Sequence, residues 1–202
     1  EQVIHNGIDT DSFRRSKLSD IDSSLVPETD AIKIAMVCRF HPIKNYKRFF
    51  EIASEFVKME PSVCFYLIGE GNEKENNSLG ILIREYSLGE KVVLLGEIEN
   101  IAGVYKYFDL VVSTSNSESF GLTVLEAIAS GVNVSTIGLP VIDELLGIYS
   151  TNEPTCDNVT IAQNWLEKTH ATQRAEVIEY ICKRFSLNNM VGSYSQLYKG
   201  LQ

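Results

Sequence analysis

The sequence predicts an α/β fold in which a doubly wound parallel sheet carries helices on both faces. Short apolar runs alternate with segments of helical period along most of the chain, which is typical of parallel strands joined by crossover helices. The runs are rich in Val, Ile and Leu and do not alternate with polar residues, as expected of strands covered on both sides. With 202 residues and 44% hydrophobic content, the chain can bury a sizeable core.

The predicted strands are the apolar runs, taken in chain order as 32–38, 63–68, 92–95, 110–114 and 132–136. The segment between the first two runs, "NYKRFFEIASEFVKM", places Phe49, Ala53 and Phe56 on one face at helical spacing. We therefore predict a helix over 45–59, which would carry the chain across the sheet in a right-handed crossover.

Further helices are predicted between and after the later strands. "ENNSLGILIREYSLG" is expected to end at Gly89, "NIAGVYKYF" to form a short helix, and "LTVLEAIASG" to end at Gly131. A polar connector, "YSTNEPTCDN", then leads to helical segments over 160–169 and 172–184, followed by the segment "FSLNNMVGSYSQLY".

The first 27 residues differ from the rest and are predicted to form a connector rather than part of a domain. They contain an Asn6-Gly7 turn and the start of a polar stretch over 9–29. Asp9-Thr10-Asp11 has the D-x-D form of a divalent-metal site, but two carboxylates in a connector are more often turn and cap residues. We prefer the latter interpretation.

The composition excludes several classes of function. A formal net charge of -9 makes nucleic acid and anionic lipid poor partners. The four cysteines are widely spaced and are predicted to be buried free thiols in a reducing compartment, while the three histidines show no metal-ligand spacing, so no metal site is proposed. No apolar run approaches the ~20 residues of a spanning helix and no signal pattern opens the sequence, which predicts a cytoplasmic protein.

The loop after the first predicted strand, "RFHPIKN", is a candidate diphosphate clamp. Ligands of open parallel sheets bind beyond the carboxyl ends of the strands. Arg39 ends the strand and Lys44 opens the next helix, where a cation is unfavourable unless an anion accompanies it. The alternative is a solvated helix face, and we accept that interpretation for Lys47 and Arg48.

The loop after the second strand, "IGEGNEK", begins like a dinucleotide fingerprint with Gly69 and Gly71. Lys74 stands where the third glycine would be, so the nicotinamide-type pattern is not met. Two glycines here indicate a tight turn, although a close approach of the backbone to a ligand stays open.

The loop after the fourth strand contains "SESFGLTVLEA", with two glutamates around a Phe-Gly step. Thr123 and Glu126 fit a capping box, and so do Ser115 and Glu118, but two overlapping boxes cannot both start one helix. Gly121 would weaken a helix, whereas it would let the backbone approach a bulky anion closely. On the residues alone, helix punctuation and a ligand site both remain open.

Taken together, these segments resemble the retaining glycosyltransferases of the GT-B fold, family 4, also called glycosyl transferases group 1. "VIHNGIDTDSF" is similar to the family's hinge segment, "RFHPIKN" to its Arg-x4-Lys loop, "ESFGLTVLE" to its Glu-x7-Glu element and "FSLNNMVGSYSQLY" to its C-terminal helix. The four matches occur in the family's order. The resemblance implies a Rossmann-like donor domain over 28–183, a hinge over 1–27 and a C-terminal helix over 184–202.

The resemblance also implies a set of catalytic residues. Arg39 and Lys44 would hold the diphosphate of a nucleotide-sugar donor and neutralise charge on the leaving group. Glu118 would contact hydroxyls of the donor sugar, and Glu126 would accept hydrogen bonds from the ribose. The family transfers sugar with retention and needs no metal or other cofactor, and its donors are UDP-, GDP- or ADP-sugars.

Backbone groups complete the implied donor site. N–H groups at Phe120, Gly121 and Leu122 would face the sugar or the distal phosphate, and the base pocket would lie near Gly69, Gly96 and Ile98. Synthesis of bacterial surface polysaccharide is the usual role of such proteins.

The sequence departs from the family pattern in two places. Asn133 stands where a proline is usual, and "IGLPV" at 137–141 replaces a Gly-Gly-x-Pro-Glu loop, so the resemblance does not extend to the donor-sugar contacts of that loop. The chain opens at the hinge, so we expect the acceptor-binding N-terminal domain to be absent, together with any peripheral contact with the inner face of a membrane. The fragment is expected to bind donor weakly and not to transfer sugar.

Two alternatives remain beside a glycosyltransferase donor domain that acts on a glycan or lipid-linked acceptor. A nucleotide-sugar epimerase of the same fold would lack the combination of hinge and Glu-x7-Glu element. A non-catalytic nucleotide-sugar-binding domain would have no need of Arg39, Lys44, Glu118 and Glu126 together.

Overall fold

The computed structural model describes residues 3–17, 29–139, 156–172 and 175–200, and in this part of the chain five parallel strands form one sheet. The spatial order is β3-β2-β1-β4-β5, and every neighbouring pair is parallel. The chain order therefore reverses between β1 and β4, which is the position where ligands bind in doubly wound sheets. The strands are β1 (Ile32–Val37), β2 (Val63–Ile68), β3 (Val92–Gly96), β4 (Leu110–Ser113) and β5 (Asn133–Thr136).

The predicted fold class and all five predicted strands are confirmed, with each strand end within one residue of its predicted position. The helices are α1 (Thr10–Arg15), α2 (Tyr46–Met59), α3 (Asn77–Glu85), α4 (Ile101–Tyr105), α5 (Leu122–Ala129), α6 (Asn158–Thr169), α7 (Ala175–Arg184) and α8 (Leu187–Lys199). Much of the predicted connector at 149–158, and residues 140–141 of the "IGLPV" loop, lie outside the described residues.

Two hydrophobic cores lie on opposite faces of the sheet, which explains why the strand sequences do not alternate. In β1, Ile34 and Met36 pack with buried side chains of α2, α3 and α6, whereas Ala35 packs with those of α4, α5 and α7. Trp165 of α6 and Tyr105 of α4 are fully buried in the two cores. Helices thus cover both faces of the sheet, as predicted.

Helix α3 ends earlier than predicted. Its last residue is Glu85, because Ser87 adopts a left-handed conformation with φ of 55° that interrupts the helix. Gly89 instead begins a 3₁₀ turn, Gly89–Lys91, that leads into β3. The prediction for α5 is confirmed, since Gly131 follows its C-cap with φ of 85°.

The N-terminal segment contains a helix that the sequence analysis did not predict. Asp9 caps α1 by accepting a hydrogen bond from the Ser12 N–H at 3.1 Å, so its interpretation as a cap residue is confirmed. The apolar anchor of α1 is Phe13, which is buried in the core against Tyr105. One apolar residue per short helix leaves too weak a pattern to detect.

The N-terminal segment pairs with the segment that precedes α8. The Ile8 N–H donates to the Phe185 carbonyl at 2.8 Å, and the Leu187 N–H donates to the Ile8 carbonyl at 2.9 Å. The predicted Asn6-Gly7 turn is wrong, because residues 3–7 form no turn and the Gly7 N–H contacts Met190 Sδ at 3.2 Å. The N-terminal segment and the start of α8 therefore meet at the edge of the core.

The four cysteines are free thiols, as predicted, but only Cys182 is buried, and the other three are half-buried. Among the helices of the described residues, none combines the length and the apolarity that a membrane crossing requires.

Candidate functional site

A cleft with a volume of about 450 Å³ opens at the carboxyl ends of β1 and β4, where the strand order reverses. Its walls come mainly from the loops that follow these two strands. The lining residues are Asn6, Cys38, Arg39, Lys44, Glu118, Ser119, Phe120, Gly121, Leu122 and Thr123. The structure thus brings together six of the ten residues that the resemblance implied for the donor site: Arg39, Lys44, Glu118, Phe120, Gly121 and Leu122.

The loop after β1 is held in place by the loop after β4. The buried Thr114 Oγ1 donates to the Lys44 carbonyl at 3.0 Å, and the Asn116 N–H donates to the Ile43 carbonyl at 2.8 Å. Asn45, in a left-handed conformation with φ of 52°, caps α2. Lys44 therefore lies in the 3₁₀ turn before α2 rather than in its first turn, which corrects the predicted helix start by one residue.

Lys44 and Glu118 form an ion pair across the cleft. The Lys44 Nζ lies 2.6 Å from Glu118 Oε1, and the side chains are only 16% and 15% exposed. The Ser115 Oγ donates to the same Glu118 oxygen at 2.7 Å. Ser115 and Glu118 are thus in contact, but they do not cap a helix, because α5 begins only at Leu122. Both hydrogen bonds reach the carboxylate of Glu118 through its Oε1 atom.

Arg39 is exposed at the mouth of the cleft, and its guanidinium has no partner among the described residues. The interpretation as a solvated helix face was made for the neighbouring cations Lys47 and Arg48. Lys47 is exposed, in agreement with a solvated face. For Arg48 that interpretation is wrong, because its guanidinium donates to the Cys156 carbonyl at 2.6 Å and ties α2 to the segment before α6.

Gly121 opens α5 in a left-handed conformation with φ of 76° and serves as its N-cap without a side-chain cap. The N–H groups of Leu122 and Thr123 have no acceptor in the part of the chain that the structure describes, so they can bind an anion in the cleft. The predicted capping box of Thr123 and Glu126 is wrong, because Thr123 is the second residue of the helix and lines the cleft instead.

The carboxylate of Glu126 accepts a hydrogen bond from a neighbouring helix, not from the start of its own helix. The Oη of Tyr105 donates to Glu126 Oε2 at 2.8 Å. Glu126 does not line the cleft, although it shares a helix face with Leu122 and Thr123, which precede it by four and three residues and do. Burial raises the pKa of Glu126, and the hydrogen bond from Tyr105 lowers it by a smaller amount.

We expect Glu126→Gln to stabilise the chain at neutral pH. Because burial raises the pKa of Glu126 above its unfolded value, ionised Glu126 lowers the free energy of unfolding at pH values above the folded pKa. Glutamine keeps an acceptor for Tyr105 and removes the buried charge. The unfolding temperature should therefore rise at about pH 7.5, and the difference should shrink toward about pH 4, where the unfolded carboxyl is protonated too.

Thermal unfolding followed by circular dichroism at both pH values would measure this effect. Glu167→Gln is the matched control, because Glu167 is exposed on α6 and loses the same charge without burial. An unfolding temperature of Glu126→Gln at or below that of the unaltered chain at about pH 7.5 would contradict the prediction.

Gly69, Gly96 and Ile98 do not line the cleft, because β2 and β3 lie on the other side of β1 from β4. The Gly69 N–H donates to the Gly96 carbonyl at 2.7 Å, and the Gly96 N–H donates to the Asn72 carbonyl at 3.0 Å. Ile98 is half-buried against the core. Their proposed place at the base of a nucleotide is not tested by these contacts and stays a prediction.

Asn72 is a structural residue that the sequence analysis missed. Its side chain is fully buried, donates to the Cys38 carbonyl at 2.7 Å and accepts from the Tyr46 Oη at 2.6 Å. Burial raises the pKa of Cys38, at the cleft wall, to about 11, so this thiol stays neutral at physiological pH. The only signal for Asn72 was its place in the "GEGN" loop, which did not distinguish a buried amide from a turn residue.

The described residues contain no group of three or more His, Cys, Asp or Glu side chains that could hold a metal ion. The charged side chains that line the cleft are Arg39, Lys44 and Glu118. Beside the free amides at the start of α5, these three side chains carry one net positive charge, although the chain as a whole carries a formal charge of -9. The arrangement is suited to an anion with hydroxyl groups beside it.

Comparisons with known proteins agree on one family. The family model described as "Glycosyl transferases group 1" matches residues 19–181. The O-antigen biosynthesis glycosyltransferase WclY of Escherichia coli is 24% identical over 100% of this chain and 56% of its own length. The D-inositol 3-phosphate glycosyltransferase of Mycobacterium sp. (strain KMS) is 29% identical over 88% of this chain and 42% of its own. The chain therefore spans about half the length of the curated relatives that it matches.

Solved structures show the same fold. The crystal structure of Anabaena Alr3699/HepE in complex with UDP and glucose superposes with a TM-score of 0.81 at 21% identity, covering 98% of this chain and 56% of that one. A glycosyltransferase from Rickettsia africae ESF-5 superposes with a TM-score of 0.82 at 21% identity, with the same coverage. At such identities the likeness establishes the fold and leaves the site to be argued from its own residues.

Proposed function

Because the chain belongs to the group 1 glycosyl transferases, we propose that it binds a nucleotide-diphospho-sugar as the donor for retaining transfer of the sugar to a glycan or lipid-linked acceptor. The observation that carries the proposal is the convergence of Arg39, Lys44 and the free N-terminus of α5 on one cleft. The epimerase alternative gains nothing from the relatives named above, whose names are those of glycosyltransferases.

Arg39 and Lys44 bind the diphosphate in this proposal. The guanidinium of Arg39 has no protein partner among the described residues, so a phosphate can take its paired N–H donors. The Lys44 ammonium donates a hydrogen bond to Glu118 through one of its three N–H groups, and the other two can donate to the ligand. As the bond between sugar and diphosphate breaks, negative charge grows on the leaving group, and these two cations stabilise it.

The start of α5 binds the distal phosphate of the donor, next to the sugar. Its N–H groups at Leu122 and Thr123 and the positive end of its dipole favour a negative charge. Glu118 Oε2 has no partner in the described part of the chain, so it can accept a hydrogen bond from a sugar hydroxyl. Glu126, one turn further along the same face, accepts from the ribose. The two cations and the helix dipole take the place of a metal ion in this scheme.

Two comparisons support the choice of ligand and role. The Anabaena protein was crystallised with UDP and glucose and with UDP-glucose. The Escherichia coli relative is named for O-antigen biosynthesis. We accordingly propose a UDP-, GDP- or ADP-sugar as donor and the synthesis of bacterial surface polysaccharide as the role, in the cytoplasm.

A thermal-shift screen tests donor binding directly. UDP, GDP, ADP and their glucose or mannose derivatives are each added to the chain, with the matching nucleosides as controls that lack the diphosphate. We expect the nucleotides of one base to raise the unfolding temperature by about 5 to 10 °C when each is present at about 100 times its dissociation constant. No shift with any nucleotide, or equal shifts with the nucleosides, would contradict the proposal.

A further inference from the structure

The carboxylate of Glu118 neutralises part of the positive charge that the cleft offers to a ligand. Its Oε1 accepts from both Lys44 and Ser115, at 2.6 and 2.7 Å, and both members of the ion pair are largely buried. Arg39 and Lys44 contribute two positive charges to the cleft lining, and Glu118 removes one. Three charged side chains therefore leave one net positive charge beside the start of α5.

The ligands that could occupy the cleft differ in charge. The diphosphate of a nucleotide sugar is esterified at both ends and carries two negative charges. A free nucleoside diphosphate has a terminal phosphate whose second pKa is about 6, so it carries close to three at neutral pH. The additional charge sits on the terminal phosphate, at the oxygen that is bonded to the sugar in the donor, and hence on the part of the free diphosphate closest to Glu118 in the proposed binding mode.

We infer that Glu118, anchored by Lys44 and Ser115, makes the cleft select the nucleotide-diphospho-sugar against the free nucleoside diphosphate. The inference rests on the proposed function. Glu118 Oε2 accepts a hydroxyl of the sugar, which the free diphosphate lacks, and the same carboxylate repels the extra charge of the terminal phosphate. The residue thereby favours entry of the donor and departure of the spent diphosphate.

Ser115 is a positioning residue in this scheme. Its hydroxyl and the Lys44 ammonium both approach Oε1, so the carboxylate is fixed with Oε2 turned away from them. A carboxylate fixed before the ligand arrives loses less side-chain entropy on binding. The pairing with Lys44 does not cancel the repulsion, because a terminal phosphate near Glu118 still meets one more negative charge than it would meet with a neutral residue.

The test compares Glu118→Gln with the unaltered chain by calorimetry. The pair that binds the unaltered chain most tightly is used, chosen from UDP with UDP-glucose, GDP with GDP-mannose and ADP with ADP-glucose. The β-methyl ester of the same nucleoside diphosphate is a third ligand, because it carries the charge of the sugar form without its hydroxyls. Glu167→Gln is the matched control, since it removes the same charge from an exposed site on α6.

We expect Glu118→Gln to bind the free diphosphate about three- to tenfold more tightly relative to the methyl ester than the unaltered chain does. The sugar form should lose about tenfold relative to the methyl ester, because a charge-assisted hydrogen bond is replaced by a neutral one. Glu167→Gln should leave both ratios unchanged. Glu118→Ala, which carries the same change of charge, should shift the diphosphate ratio in the same direction.

Unchanged affinity ratios in both Glu118 variants would overturn the inference, whether the three affinities stay the same or all change by the same factor. Such a result would leave the proposed function intact if the unaltered chain binds the nucleotides and the variant without Arg39 and Lys44 does not. Absence of binding to the unaltered chain would overturn both. Far-ultraviolet circular dichroism of each variant verifies that it is folded at the temperature of the titration.

Discussion

Replacing Arg39 and Lys44 together by alanine is expected to lower the affinity for a nucleoside diphosphate by at least about a hundredfold. Each residue supplies a charge-assisted hydrogen bond to the diphosphate in the proposed site, and such bonds contribute about 1.5 to 3 kcal/mol apiece. Arg39 has no protein partner in the described residues and Lys44 is paired with Glu118, so neither substitution removes a protein partner of the other residue. Isothermal titration calorimetry measures the affinity.

A matched double variant separates this effect from that of total charge. Lys47 and Lys183 are exposed on α2 and α7, and their replacement by alanine removes the same two positive charges. We expect less than about a threefold change in affinity for that control, because neither lysine lines the cleft and exposed charges outside a site are screened by salt. Equal losses in the two double variants would argue against a diphosphate site in the cleft.

The loss of Lys44 should also destabilise the chain. The side chain of Glu118 is 15% exposed, and its carboxylate would keep only Ser115 as a partner among the described residues. Leaving such a charge unpaired costs about 1 to 3 kcal/mol. The titrations are therefore run well below the unfolding temperature of the variant, and adding Glu118→Gln to the Lys44→Ala variant should restore most of its stability.

Gly69→Ala should lower the free energy of unfolding by about 3 kcal/mol or more. Gly69 has φ of 122°, a conformation that residues with a side chain rarely adopt, and an added Cβ would lie 2.6 Å from the Cys38 carbonyl oxygen. The obstacle is backbone at the end of β1, which cannot rotate away as a side chain could. Because Cys38 lies in the wall of the cleft, affinity for the nucleotide should fall as well.

Urea denaturation followed by fluorescence of Trp165 would measure this loss. Gly192→Ala is the control, since Gly192 lies inside α8 with nothing within 4 Å of an added Cβ. The same substitution there should stabilise the chain by about 0.5 to 1 kcal/mol. A loss below about 1 kcal/mol for Gly69→Ala would mean that the contact between the ends of β1 and β2 is easily rearranged.

The strand and helix content could be predicted because it depends on local patterns. Unbroken runs of Val, Ile and Leu need cover on both faces, and the two cores provide it. Where local pattern was weak, prediction failed. Helix α1 has Phe13 as its apolar anchor, and the end of α3 depends on the left-handed Ser87 rather than on the more conspicuous Gly89.

The candidate site was predicted in part for a similar reason. Arg39, Lys44 and Gly121 each follow a strand, and parallel strands place their carboxyl ends at one edge of the sheet. The partners of the glutamates could not be found this way. Their spacing fitted capping boxes or a ligand site and indicated neither partner, whereas Glu126 bonds to Tyr105 on another helix and Glu118 pairs with Lys44.

The sequence by itself determined that strands and helices alternate, and that two cations and a glycine-led helix follow particular strands, because these properties reside in neighbouring residues. Only the tertiary structure decided that β1 and β4 lie side by side, so that Lys44 meets Glu118, 74 positions further along the chain. Such a contact depends on the packing of both faces of the sheet, and no local pattern encodes it. The charge that the cleft presents to a ligand is therefore a property of the fold.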